Sequence, residues 1–219
     1  MVTLILFFAI QVFSNTETLK SGIKVNDQKN MLPLHQAALP DSTANQLIAP
    51  GAEPRLIADN FSFTEGPATD KAGNIFFTDQ PNNKIWKYSV DGKLSVFLDK
   101  AGRANGLAFD RKGNLLACAD EQNQLWSISP KGKITVLIKD FQGHRLNGPN
   151  DLWIDTQGGI FFTDPYYQRD YWERKSPEIK GENVFYLPKG KKEPIIVADD
   201  LKQPNGIIGS ADGKYLSHR

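Results

Sequence analysis

The sequence has little of several residue types, and each shortage excludes a class of protein. Its single Cys in 219 residues excludes an internal disulfide framework and a Cys-rich zinc or iron–sulfur site. Its three His lack HxH or HxxxH spacing, which argues against a His-based catalytic zinc. Lys and Arg (26) nearly balance Asp and Glu (25), so charge gives no reason to expect nucleic acid or an anionic membrane as a partner. No apolar run reaches the ~18 residues of a membrane span.

The N-terminus carries a shorter apolar run over residues 2–13. It resembles the hydrophobic region of a secretory signal, with a usable cleavage site at Val12, Phe13 and Ser14, although no Lys or Arg precedes it. We therefore predict a signal peptide over residues 1–14 and an exported protein, periplasmic or secreted; the alternative is a buried N-terminal strand. Residues 15–54 lack periodicity and are predicted to be an irregular N-terminal segment.

The rest of the chain is rich in Gly and Pro and repeats itself. Four segments align without gaps, and they begin at Glu65, Asn105, Asn150 and Asn205. A Gly turn follows each of them, at Gly73, Gly113, Gly158 and Gly213, so the repeats are spaced by 40, 45 and 55 residues. A period of about 40–50 residues is typical of a propeller or a solenoid.

The content of the repeats favours a propeller. Four short runs rich in β-branched and aromatic residues occupy the first repeat, at 67–69, 75–78, 84–88 and 94–98. The second repeat has the same four, at 107–109, 115–118, 124–128 and 134–138. No stretch shows a helical apolar period, so the chain is predicted to be all-β, with four antiparallel strands in each blade. The interval of 55 predicts an insertion in the third repeat, at about 164–183.

The edges of the array are informative. The run at 55–59 matches the outer strands of later repeats but precedes the first one, as a closure strand of a circular propeller would. After Asn205 only one inner strand and a turn remain. We therefore expect residues 55–219 to form a partial propeller of three full blades and the start of a fourth.

The first residues of the four aligned segments are the candidate site. Equivalent positions at the starts of the innermost strands should meet near the channel axis on one face, which would bring together Glu65, Asn105, Asn150 and Asn205. One carboxylate and three amide carbonyls are hard oxygen donors that suit Ca²⁺, Mg²⁺ or Mn²⁺. The alternative is that each Asn is only part of an Asn-Gly turn.

Other polar residues have weaker patterns. Three aspartates recur where second strands end, which favours turn capping: Asp79, Asp120 and Asp164. Arg145 precedes the Asn150 position and could hold a substrate oxygen, or could lie in a solvated loop. Tyr166 belongs to the aromatic and basic start of the insertion, which would be either a lid over the channel or a surface loop.

Several of these segments together resemble the SMP-30/gluconolactonase/LRE family. They are Glu65-Gly66-Pro67, Asn105-Gly106, Leu146-Asn147-Gly148-Pro149-Asn150-Asp151, Phe161-Phe162-Thr163-Asp164-Pro165 and Pro204-Asn205-Gly206. The resemblance covers about residues 55–219. It implies a six-bladed propeller with one divalent cation in its channel, Ca²⁺ first and Mg²⁺, Mn²⁺ or Zn²⁺ as alternatives. It also implies hydrolysis of a sugar lactone or related ester.

The resemblance also implies roles for individual residues. By position, Glu65 and Asn205 match metal ligands, and Asn150 matches a residue at the metal or at the substrate beside it. The resemblance assigns no other substrate contacts; from their positions in this sequence we predict Asn105, Arg145 and Tyr166 as such contacts. The family's remaining metal-binding Asp, its usual general base, would lie beyond Arg219, so we expect a C-terminally truncated member with no catalytic residue assigned. A non-catalytic propeller that binds a ligand or a protein, or an inactive remnant, are the alternatives.

Overall fold

The computed structural model describes residues 52–218, and the chain divides into two compact units. The predicted signal peptide and most of the segment 15–54 lie outside the described residues. The second unit contributes only residues 52–59 to the described part, and these form no strand. The prediction of a strand at 55–59 is therefore wrong for this structure. A strand needs hydrogen bonds to a neighbouring strand, and residues 55–59 pair with none.

Residues 60–218 form an all-β unit of four antiparallel sheets, numbered here in chain order. Sheet 1 contains β1 (Thr64–Thr69), β2 (Ile75–Asp79), β3 (Lys84–Tyr88) and β4 (Leu94–Asp99). Sheet 2 contains β5 (Ala104–Phe109), β6 (Leu115–Ala119), β7 (Gln124–Ile128) and β8 (Ile134–Ile138). Sheet 3 contains β9 (Leu152–Ile154), β10 (Ile160–Asp164), β11 (Glu182–Leu187) and β12 (Ile195–Leu201). Sheet 4 contains β13 (Ile207–Gly209) and β14 (Leu216–His218).

The predicted strands of the first two repeats are all present, joined as meanders in chain order. Strands β1 and β5 begin about three residues before the predicted runs and so include Glu65 and Asn105, and β2, β4 and β6 end one residue after them. After Asn205 the structure has a second strand, β14, where the sequence predicted only a turn. One turn of 3-10 helix at Asp120–Gln122 interrupts the strands, and no helix among residues 52–218 has the length and apolar character to cross a membrane.

The core is formed where neighbouring sheets meet. All five residues of β6 are buried, and since successive side chains of a strand point to opposite faces, the strand serves two interfaces. Leu115 and Ala117 belong to the cluster shared with sheet 1, whereas Leu116 and Cys118 belong to the cluster shared with sheet 3. Sheet 2 is thus covered on both faces. The same burial raises the pKa of the Cys118 thiol well above its ordinary value.

The aromatic centre of the second cluster lies in sheet 3. Phe162 of β10 and Phe185 of β11 are fully buried and stack with ring centroids 5.2 Å apart. The segment between these two strands, residues 165–181, is the insertion that the 55-residue interval predicts. It therefore lengthens one hairpin and leaves the pairing of the sheet intact.

Phe162→Ala tests this core. We expect the variant to lose about 3–5 kcal/mol of unfolding free energy, the usual cost of removing a buried Phe ring, measured by urea unfolding. Phe63→Ala, at a ring that is 44% exposed, is the matched control and should cost much less. Equal losses in the two variants would contradict this assignment of the core.

Candidate functional site

The first strands of sheets 1 and 2, β1 and β5, are irregular near their starts, where the candidate site residues Glu65 and Asn105 lie. Glu65 of β1 pairs with Thr78, but the next pair is Ala68 with Phe76, so a bulge holds Gly66 and Pro67. Strand β5 has the same irregularity between Ala104 and Leu107. Bulges re-aim side chains locally. Gly66 has φ +51°, and a Cβ there would lie 2.3 Å from the carbonyl oxygen of Asn105, so only Gly fits.

Hydrogen bonds join these strand starts from sheet to sheet. The hydroxyl of Thr78 lies 3.1 Å from the carbonyl oxygens of both Glu65 and Asn105. The N–H of Gly106 donates to the carbonyl of Asn150 at 2.7 Å. The hydroxyl of Thr163 donates to the carbonyl of Asn205 at 2.7 Å. The four aligned positions are therefore linked in order around one rim, and we call these contacts the rim bonds.

Asp151 reinforces the same rim. Its Oδ2 accepts a hydrogen bond from the N–H of Ile207 at 3.0 Å. Its Oδ1 would lie 2.4 Å from a Cβ placed on Gly106, so the carboxylate fills the space that the missing side chain leaves. Asp151 therefore contacts Gly106, which follows Asn105, and bonds Ile207, which lies two residues after Asn205. It acts as a positioning residue for both asparagines.

A cavity of about 210 Å³ opens at this rim. Its polar side chains are those of Glu65, Asn105, Asn150, Asp151 and Asn205. Asn105 and Asn150 are buried, while Glu65 and Asn205 are half-buried. The structure thus brings all four aligned positions to one cavity, together with one further carboxylate.

The cavity is electrostatically one-sided. Two carboxylates line it, and no Lys, Arg or His does. Burial raises the pKa of Glu65, and the nearby charge of Asp151 raises it further, against the N–H of Gly66, which lowers it. Burial likewise raises the pKa of Asp151, against the N–H groups of Ile207 and Leu152. Both ionised carboxylates would be stabilised by a cation between them.

The donor set fits a hard divalent cation. Carboxylate and amide oxygens are ligands of Ca²⁺ and Mg²⁺, whereas Zn²⁺ sites in proteins are built mainly from His and Cys. Among residues 52–218, no group of three or more His, Cys, Asp or Glu could hold a metal, so a cation here would depend on the amides as well as on Glu65 and Asp151.

The other two predicted substrate contacts do not line the cavity. The Arg145 side chain is exposed and pairs with Glu178 of the insertion, Nε to Oε1 at 3.4 Å. Tyr166 is half-buried: its hydroxyl donates to Gln168 at 2.6 Å, and its ring lies 5.1 Å from the Arg174 guanidinium. Both residues lie in or against the insertion, so a substrate contact at either would involve that segment.

Two of the three recurring aspartates have a structural role, but they cap the backbone of segments 16–17 residues earlier in the chain and not the adjacent turn that the sequence predicts. Asp79 accepts from the N–H groups of Ser62 and Phe63 at 3.1 and 3.2 Å. Asp164 accepts from those of Asn147 and Gly148 at 2.9 and 2.8 Å, and so fixes the loop that carries Asn150. Burial raises the pKa of Asp164 to about 7, against the two N–H groups that favour its ionised form.

Asp120 is the exception, because apart from the Gln80 side-chain amide, which donates to it at 3.3 Å, its side-chain partners come from the insertion. Its buried carboxylate pairs with Arg169 at 2.8 Å and accepts from the hydroxyl of Tyr171. Trp172, also in the insertion, would lie 2.9 Å from a Cβ on Gly148. The insertion is thus fastened to sheet 2 and packs beside the loop before Asn150.

Sequence reasoning missed Asp151 and the role of Asp120. A signal for Asp151 exists, because the residue after the aligned position is Gly in the other three segments, at 66, 106 and 206, and Asp only in the third. Asp120 differs in that Cys118-Ala119 precedes it where Phe-Thr precedes Asp79 and Asp164, and this does not indicate its partners.

Comparison with known proteins places these features in a family. A model described as the SMP-30/gluconolactonase/LRE-like region matches residues 63–218. The chain is 29% identical over 178 residues to a gluconolactonase of Zymomonas mobilis, covering 74% of this chain and 49% of that protein.

Solved structures agree with this similarity. A gluconolactonase of Xanthomonas campestris has a TM-score of 0.70 at 28% identity, over 74% of this chain and 56% of that one. A protein provisionally named a gluconolactonase has a TM-score of 0.69 at 30% identity, over 75% and 58%. The described fold is thus β-propeller-like, and the chain spans about half the length of the curated relative.

The raised pKa of Glu65 predicts a pH dependence of stability. Because the folded-state pKa lies above the ordinary value of 4.5, the native state holds a proton that the unfolded state has lost, so stability falls as pH rises through that window. Urea unfolding from pH 4 to 7 with a chelator should show a smaller fall in Glu65→Gln than in the parent. Glu193→Gln, at an exposed carboxyl, should follow the parent. Identical pH profiles for the parent and Glu65→Gln would contradict the prediction.

Proposed function

The chain belongs to the SMP-30/gluconolactonase/LRE-like family, and from that membership we propose that it hydrolyses a sugar lactone or a related ester with the help of one divalent cation. The proposal covers the activity of the whole protein, because the chain spans only 49% of the gluconolactonase it resembles. The name of that relative favours a gluconolactone-type substrate.

One observation carries the proposal: two carboxylates and three amides line a single cavity in which no cationic side chain offsets their charge. Burial makes this arrangement costly for the ionised carboxylates. A bound cation would offset that cost. It would therefore explain why the carboxylates and amides lie together, which turn formation alone does not explain.

The residues divide the work. Glu65, Asn150 and Asn205 would hold the cation, with Ca²⁺ favoured over Mg²⁺ and Mn²⁺, and Zn²⁺ disfavoured by the lack of His and Cys in the cavity. When bound, the cation supplies Lewis-acid polarisation of a lactone carbonyl. The Asn105 amide, which offers both a donor and an acceptor, would orient the substrate's oxygens. Asp151 would keep Asn105 and Asn205 in position.

In the reaction, a water oxygen bonds to the carbonyl carbon, the ring C–O bond breaks, and a hydroxy acid forms.

The proposal extends to the architecture. Three four-stranded sheets and a two-stranded one follow one another in chain order. We interpret them as three blades and the first two strands of a fourth in a six-bladed propeller, with the cavity at one end of the channel.

Calcium binding is the first test. In calorimetric titrations the parent should bind one Ca²⁺, and Glu65→Gln should weaken binding at least tenfold, because affinity at oxygen sites depends on the number of charged ligands. Glu193→Gln, which removes an exposed carboxyl outside the cavity, should leave the affinity unchanged. Undiminished binding by Glu65→Gln, or no saturable binding up to about 10 mM, well above the weakest calcium sites of about 1 mM, would contradict the cation site.

Turnover of D-glucono-1,5-lactone is the second test. Hydrolysis releases a proton at neutral pH, so a pH-stat should record calcium-dependent turnover by the whole protein above the spontaneous rate. A chelator should remove it, and Glu65→Gln should lower kcat/KM by about a hundredfold or more, since polarisation by a metal supplies several kcal/mol.

Glu193→Gln again serves as the control and should match the parent. Saturable calcium binding without turnover of this lactone or of simple esters would favour the non-catalytic, ligand-binding alternative. Undiminished turnover in Glu65→Gln would contradict the assignment of the site.

A further inference from the structure

A second cavity lies at the opposite end of the first strands, between sheets 1 and 2, and has a volume of about 350 Å³. We call it the basic groove. Asp70, at its edge, follows the last residue of β1 and is five residues from Glu65, so at ~3.3 Å per residue the two residues are at most about 17 Å apart, at opposite ends of the strand. It shares no lining residue with that cavity.

The floor of the basic groove is aromatic. Phe76 meets Phe97 and Phe109 edge to face, with ring centroids 5.0 Å apart in each pair. Phe76 is buried, but Phe97 and Phe109 are only partly covered, so apolar ring surface is open to the groove. A flat apolar group seated there would cover it and gain the corresponding hydrophobic free energy.

The rim is cationic. Lys71, Lys87 and Lys112 surround the opening, and the Lys87 ammonium lies 5.6 Å from the Phe76 ring centroid. The Lys71 ammonium reaches across to the carbonyl of Arg111 at 2.8 Å. Within residues 52–218, none of the five ion pairs involves these lysines. The Lys87 charge helps to lower the pKa of Asp70 and Asp91, but neither carboxylate forms a contact ion pair with it, so its ammonium can still meet an anion in the groove.

The one carboxylate of the groove, Asp70, is already engaged. Its Oδ1 accepts from the N–H groups of Ala72 and Asn74 at 2.9 Å, and its Oδ2 accepts from the Asn74 side chain at 2.8 Å. These local bonds hold the turn after β1. The groove as a whole keeps an excess of two positive charges, from three Lys and one Asp.

The repeat supplies its own comparison. A groove of about 360 Å³ occupies the equivalent place between sheets 3 and 4, where Phe161 corresponds to Phe76 and Asp155 to Asp70. Its charged groups are Asp155, Asp212 and Lys214, and Lys214 pairs with Asp212 at 3.2 Å. Both grooves thus lie where neighbouring sheets meet, and the surplus of lysines distinguishes the first from the second.

We propose that the basic groove is a binding site for a small aromatic carboxylate, whose ring covers Phe97 and Phe109 while its carboxylate pairs with Lys87 and Lys112. The volume lies within the range of about 300–1,000 Å³ that is usual for small-molecule sites. Lys, a compact point charge on a flexible stem, suits a single anionic group on ligands of varied shape. The site is independent of the lactonase proposal, since it uses none of the residues of the first cavity.

Calorimetric titration of the 219-residue chain with 2-naphthoate tests the site. We expect saturable binding at one site and at least tenfold weaker binding in Lys87→Gln/Lys112→Gln. Lys214→Gln, in the equivalent groove, is the matched control and should leave the affinity within twofold. The neutral analogue 2-naphthylmethanol should bind the parent at least tenfold more weakly than the acid.

A measurement on the parent alone keeps the test independent of how the variants fold. Raising the salt from about 0.1 to about 1 M shortens the Debye length from about 10 to about 3 Å and should weaken 2-naphthoate binding. Equal affinity for the acid and the alcohol, insensitivity to the two lysine substitutions in folded protein, or no saturable binding would each overturn the proposal.

Discussion

The arrangement depends on the rim bonds, which tie the start of each first strand to the next sheet. Thr78 reaches the carbonyl of Asn105, Gly106 reaches that of Asn150, and Thr163 reaches that of Asn205. These backbone groups lie in a partly buried region where an unpaired carbonyl is costly, so the bonds fix the spacing between sheets. The side chains of the aligned positions converge on one cavity because their backbones are already held together. Without these bonds, three Asn and one Glu in different sheets would have equivalent places in the repeat but need not lie close together.

Much of the fold could be predicted from the sequence because its determinants are local. A run such as 84–88 is β-favouring, turn residues bound it, and the structure has a strand at Lys84–Tyr88. The convergence of Glu65, Asn105, Asn150 and Asn205 on one cavity was also predictable, since equal register in a repeat implies equal position. Asp151 was not found because its role depends on Gly106 and Ile207, far away in the chain, and only the structure shows that they are neighbours. The role of Asp120 was not predicted for a related reason, because Arg169 and Tyr171, which bind it, belong to the insertion.

The two ends of β1 carry opposite charge. At the start, Glu65 and Asp151 face a cavity with no cationic side chain, whereas past the end, Lys71, Lys87 and Lys112 surround the basic groove. The net charge of +1 for the whole chain hides this separation. Along β1, the field therefore favours a cation at its start and an anion past its end.

The insertion at 165–181 interrupts a single hairpin, between β10 and β11, whose pairing runs without a break from Ile160–Leu187 to Asp164–Asn183. Because each sheet is a meander of consecutive strands, extra residues at that turn do not disturb the register of any other sheet. The segment is nevertheless bonded to its neighbours, through Asp120 in the 3-10 turn between β6 and β7 and through the carbonyl of Asn147. This hairpin is therefore a point where evolution or an engineer can exchange the segment that packs beside the loop before Asn150, while the sheets keep their pairing.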